Sequence, residues 1–107
     1  MQNLSVRDLS QLPDLELALI QTTLAWQDPA ANRAHFAALL QQARGADLVV
    51  LPEMFSTGFS MDSATLAEPE DGPSTQWLRE QAQQLGAVIT GSLIIQAADG
   101  SYRNRLL

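Results

Sequence analysis

At 107 residues, 46% of them hydrophobic, the chain has the size of one compact domain able to bury a core of its own. Twelve Asp and Glu oppose six basic residues, and the resulting formal charge of −6 repels a phosphate backbone, which argues against nucleic acid as a partner. Cysteine is absent and every basic residue is arginine, so these residues hold no disulfide, no thiolate metal site, no cysteine nucleophile and no catalytic lysine.

Residues 1 to 14 are polar, lack a period and end beside Pro13; they read as a leader to a domain over residues 15 to 107. They contain neither the apolar run of a signal peptide nor a membrane span, which makes a cytoplasmic protein with no membrane contact the default expectation. From Leu15 to Gln21 apolar residues first alternate and then run together, as in a strand entering a buried sheet. Asp28 and Pro29 form an N-cap and first-turn pair, and Phe36, Leu39, Leu40 and Ala43 then share one face of a helix stopped by Gly45.

Residues 46 to 52 form a second, continuously apolar strand of the type found in parallel sheets. Residues 54 to 73 read as a long connecting loop, a feature that is uncommon in small domains and often functional. A second helix spans about Ser74 to Leu85, between Pro73 and Gly86. Ala87 to Gln96 reads as a third strand interrupted at Gly91-Ser92, and Asp99-Gly100 between two apolar runs predicts a hairpin into a last strand from Tyr102 to Leu107. The pattern is α/β with a mixed sheet. The last strand stops in mid-pattern, without a turn or cap, which suggests the front part of a longer protein or an edge covered by another segment.

Glu53 is the residue to explain. It follows Pro52 at the C-terminal end of a predicted parallel strand, where ligands gather in open α/β sheets, and Pro52 launches it from a stiff backbone. A partly buried place beside Met54 and Phe55 would suit a general base or acid working near neutrality. On spacing alone, however, a loop acid or an ion-pair partner is the commoner reading. His35, the single histidine, reads as an ordinary helix residue, and Asp62, Glu68, Glu70 and Asp71 read as a solvated acidic loop without the ligand order of a calcium site. Ser92 lacks a G-x-S-x-G frame and Gly58 a phosphate-loop frame, so both read as structural, while Trp26, Trp77 and Tyr102 read as core or interface residues. No metal or cofactor is expected.

The segments LALIQTTLAWQDPAANRAHF, ADLVVLPEMFSTGFSM, GPSTQWLREQAQQLGAVITGSL and YRNRLL, in that order, resemble the N-terminal part of the nitrilase superfamily, the carbon–nitrogen hydrolases. LPEMFSTGF is most similar to the omega-amidase branch. The resemblance implies the N-terminal part of a four-layer α-β-β-α sandwich and a Glu-Lys-Cys catalytic set that hydrolyses a small omega-amide through a thioester. It implies that Glu53 is the general base, that Phe59 lines the substrate pocket together with Met54 and Phe55 of the same segment, and that the full-length protein forms a homo-oligomer. Because Lys and Cys are missing, the chain alone is expected to be inactive; the alternative is a non-catalytic, truncated α/β module that pairs through its open sheet edge.

Overall fold

A computed structural model describes residues 12–107, so most of the expected leader lies outside the described residues. In chain order the elements are β1 (Leu17–Leu19), α1 (Pro29–Leu40), β2 (Leu48–Val50), α2 (Ser63–Leu66), β3 (Glu68–Pro69), α3 (Pro73–Leu85), β4 (Val88–Thr90), β5 (Ser92–Gln96) and β6 (Tyr102–Leu106). They form two three-stranded sheets, ordered β1-β2-β4 and β3-β5-β6, in keeping with the two β layers of the expected sandwich.

The first sheet is wholly parallel. Ala18, Val49 and Ile89 lie abreast, as do Leu17, Leu48 and Val88 on the opposite face of the pleat. The Val49 and Ile89 row is buried with Phe36, Leu40 and Leu78 from α1 and α3, and this cluster is the core. On the other face Leu17, Leu19 and Val88 are 50%, 70% and 63% exposed. Parallel strands are usually covered on both faces; among the described residues only one face is covered here.

Both long helices begin and end as their sequences dictate. The Asp28 carboxylate accepts the Ala31 N–H at 3.1 Å, which satisfies an orphan donor of the first turn of α1, and Pro29 needs no partner there. A short 3₁₀ turn over Gln41–Ala43 extends that helix before Gly45 turns the chain at φ +91°. Helix α3 closes with Gly86 at φ +70°, whose N–H reaches the Ala82 carbonyl at 2.9 Å.

The predicted third strand is in fact two. At Gly91 the chain leaves the first sheet and enters the second, so that β4 and β5 are consecutive in sequence yet belong to different sheets. A Cβ at Gly91 would stand 2.9 Å from Phe55 Cδ1 and 3.1 Å from Leu51 Cβ; only glycine lets the strand pass this close. Strand β5 then pairs antiparallel with β6, with Ile94 opposite Asn104, and parallel with the short β3. The second sheet is therefore the mixed one.

The predicted loop of residues 54 to 73 carries structure of its own, namely α2 and β3. Nor are its acids simply solvated. The Glu68 carboxylate accepts both the N–H and the hydroxyl of Ser74, at 2.7 and 2.6 Å, and lies 3.9 Å from Arg33, so it closes the first turn of α3 onto α1. Asp71 meets Arg79 at 2.8 Å and Glu70 meets Arg105 at 3.1 Å. The arginines that pair with Glu68, Asp71 and Glu70 stand 8 to 35 positions away, beyond the reach of local composition.

Asn32, only 1% exposed, ties α1 to two loops. Its amide nitrogen donates to the Ala25 and Ser56 carbonyls, each at 2.8 Å, and its oxygen accepts the Ala25 N–H at 2.8 Å. We expect Asn32→Leu to lower stability by about 2–4 kcal/mol, because three backbone groups lose their partner. The check is a fall in the urea midpoint at unchanged slope.

The hairpin turn supplies a second expectation. The Ser101 hydroxyl and then its N–H donate to Asp99, and with Arg103 close by they hold its carboxyl below the ordinary aspartate value of 3.8 against the opposing effect of burial. Since the folded value is depressed, the stability linked to it is present above the unfolded value and is lost as pH falls through the folded one. An NMR titration should place Asp99 below 3.8 and move it upward in Ser101→Ala.

Candidate active site

Leu51 prolongs the parallel ladder by donating its N–H to the Thr90 carbonyl at 2.8 Å, and Pro52 follows. Glu53 therefore projects from just past the C-terminal end of β2. The next residue, Met54, adopts φ +50°, a left-handed conformation that costs a side-chain-bearing residue about 1–3 kcal/mol and persists only where surrounding contacts enforce it. Those contacts come from Ser92. Its hydroxyl accepts the Met54 N–H at 2.9 Å, and its carbonyl accepts the Phe55 N–H at 3.1 Å.

Beyond this point the chain folds back on itself. The Met54 carbonyl accepts the N–H groups of Thr57 and Gly58, at 3.2 and 2.9 Å, and Gly58 takes φ +80° beneath the Trp26 ring. Phe55 is fully buried, stacked on Trp77 at 5.8 Å and edge-on to Phe36 at 5.9 Å. One side of the turn is thus anchored in the core, while the other presents Glu53 outward.

Glu53 is exposed, which corrects the expectation of partial burial beside Met54 and Phe55. The reason is the turn itself, which sends Phe55 into the core instead of over the carboxylate. Its side-chain partner is Asn104 on β6, whose amide nitrogen donates to Glu53 Oε1 at 2.9 Å.

Glu53, Met54, Phe59, Ile94, Tyr102 and Asn104 are among the residues that line a cleft of about 240 Å³. Phe59, 65% exposed, stands at this cleft, whereas Phe55 does not reach it. An adjoining hollow of about 330 Å³ is lined by Leu51, Glu53, Ser92, Asn104 and Leu106, so Glu53 and Asn104 belong to both spaces. A larger hollow of about 480 Å³, between the ends of α1 and α3, is lined by glutamines, leucines and Arg44 and carries neither a carboxylate nor a nucleophile.

The remaining candidates fall elsewhere. His35 is exposed and shares a 2.9 Å hydrogen bond with the Thr22 hydroxyl. Ser92 is structural in the sense just described. Trp77 packs against the core, whereas Trp26 and Tyr102 are exposed and so do not belong to the core half of the expectation. Arg103 pairs with Asp99 at 3.7 Å, and Arg7 lies outside the described residues. Among the described residues no cluster of three or more His, Asp or Glu is arranged to hold a metal ion, and no helix is long and apolar enough to cross a membrane. Sequence reasoning missed Asn104; its one visible signal is an asparagine in mid-strand, where that residue type is depleted.

Comparisons with known proteins bear on the family and the fold. The Carbon-nitrogen hydrolase family model matches residues 16–107. The omega-amidase YafV of Escherichia coli strain K12 is 40% identical over 96 residues, which make up 90% of this chain and 37% of that protein. Omega-amidase YafV of Yersinia enterocolitica is 42% identical over 93 residues, 87% of this chain and 36% of its own length. The crystal structure of XC1258 from Xanthomonas campestris, a CN-hydrolase superfamily protein with an arsenic adduct in its active site, aligns with a TM-score of 0.84 at 45% identity. That alignment covers 90% of this chain and 36% of XC1258, and the two-sheet α/β arrangement is accordingly the N-terminal part of the CN-hydrolase fold. The chain spans little more than a third of the length of the relatives it matches, 37% for the Escherichia coli protein. With the family match running from residue 16 to residue 107, the chain belongs to the carbon–nitrogen hydrolase family.

Proposed function

We propose that these residues supply the general base of an amidase that converts a small omega-amide into a carboxylate and ammonia. The observation that carries this reading is the placement of Glu53: a carboxylate at the end of a parallel strand, on a backbone locked by Ser92, at the mouth of a cleft with apolar walls. The omega-amidase relatives support the choice of substrate class.

In this reading Glu53 takes the proton of a cysteine thiol, the thiolate adds to the amide carbonyl, and a lysine stabilises the oxyanion. The proton passes to the departing nitrogen, which leaves as ammonia. Glu53 then takes a proton from water, the hydroxide adds to the thioester, and the thiol is released with that proton. Neither the lysine nor the cysteine is among these 107 residues, so the chain contributes the base and part of the pocket, through Met54 and Phe59, and does not turn over by itself. Phe55 serves the site as an anchor for the turn.

That same absence of Lys and Cys favours a second reading, a non-catalytic α/β module that works by pairing with a partner. The coding sequence beyond Leu107 separates the two: a lysine and then a cysteine after a further apolar strand supports the enzyme.

The decisive measurement is ammonia release from an omega-amide such as glutaramate by the full-length protein. Glu53→Gln should lower kcat/KM by about 10²–10⁴-fold with an unchanged melting temperature. Undiminished turnover by Glu53→Gln would remove Glu53 from the mechanism, and turnover by the 107-residue chain, lost in Glu53→Ala, would overturn the proposed division of the site.

A further inference from the structure

We infer that Asn104 is the positioning residue of Glu53 and that it decides which carboxylate oxygen acts as the base, an inference that rests on the reading of Glu53 as the proton acceptor. A carboxylate can only accept hydrogen bonds, so the Asn104 group facing Glu53 Oε1 at 2.9 Å must be the amide nitrogen; the orientation of the amide follows from chemistry. Among the described residues the Glu53 side chain has no other hydrogen-bond partner, which leaves Oε2 as the oxygen free to take a proton.

Three features make this bond more than an incidental surface contact. Asn104 sits at a fixed register, opposite Ile94 in the β5–β6 ladder, and β5 also carries Ser92, which locks the Met54 backbone. A single hairpin thus holds Glu53 at two points, by its following peptide and by its side-chain tip. Both residues are exposed, yet they border the same two hollows, so the bond lies where a ligand would enter.

The third feature is charge. Asn104 is flanked in sequence by Arg103 and Arg105, whose guanidinium groups are paired with Asp99 and Glu70 instead. A cationic partner holds a carboxylate as the ion and makes it a poorer proton acceptor. A neutral amide fixes the same geometry without adding a charge, which is the more suitable partner for a group that must gain and lose a proton in each cycle.

The test is a substitution series in the full-length protein, read as kcat and KM separately with the melting temperature of each variant. Asn104→Leu should lower kcat about 10–100-fold with KM nearly unchanged, the cost of a misplaced base. Asn104→Asp, equal in size but without the donor and with a like charge, should lose more than Asn104→Leu, while Asn104→His, which keeps a donor, should retain the most. A structural role predicts the reverse, since the near-isosteric Asn104→Asp would be the mildest change. Wild-type kcat in Asn104→Asp, or losses that only follow melting temperature, would overturn the inference. Should Asn104→Leu fail to fold, Asn104→Asp decides alone. If Glu53→Gln is inactive while the Asn104 variants are fully active, only the positioning role fails; if Glu53→Gln is active, the base assignment fails first.

Discussion

Gly91 is where the two sheets and the candidate site become one structure. The backbone there runs so close to Leu51 and the Phe55 ring that no side chain fits, and this close approach lets a single stretch of chain serve as the last strand of one sheet and the central strand of the other. The consequence reaches the chemistry at the next residue. Because Gly91 is pressed against the Leu51 and Phe55 segment, Ser92 lies within hydrogen-bonding distance of both peptides that follow Glu53. Strand crossing, core packing and carboxylate placement thus rest on one steric condition.

Around that point the molecule uses polar side chains as fasteners between elements that apolar packing alone would leave loosely oriented. Asn32 joins α1 to the turn after Glu53, and Glu68 joins the start of α3 to Arg33 of α1. Each replaces water on groups removed from solvent, so each matters less for what it adds than for the unpartnered backbone its loss would leave. The arginines follow the same plan. Arg33, Arg44, Arg79, Arg103 and Arg105 all have side-chain partners within the described residues.

How far the sequence was legible depends on the range of the interaction concerned. Helix α1 could be read from Asp28, Pro29 and Gly45, and the β5–β6 hairpin from Asp99-Gly100, because caps and tight turns are decided by neighbouring residues. The position of Glu53 just past a parallel strand could be read from the apolar run that ends at Pro52. The split of β4 from β5 could not, since an apolar run does not reveal which sheet its two halves join, and Gly91 signalled only a break. Burial of Glu53 was misjudged for a related reason: two apolar neighbours suggest shelter, but the left-handed turn at Met54 sends Phe55 away. Asn32, Glu68 and Asn104 act on partners distant in sequence, beyond the reach of any local pattern.

The distances along the chain that these contacts span also bear on the order in which the molecule assembles. Ser92 and Met54 are 38 residues apart, and Asn104 and Glu53 are 51 apart, whereas β5 and β6 meet across a turn of a few residues. Loop-closure entropy delays contacts of the first kind and favours the second, so the hairpin can form early and wait for the Glu53 segment to dock onto it. The carboxylate then acquires its geometry in a late step of folding, and the same long-range contacts are the ones that partial opening would release first.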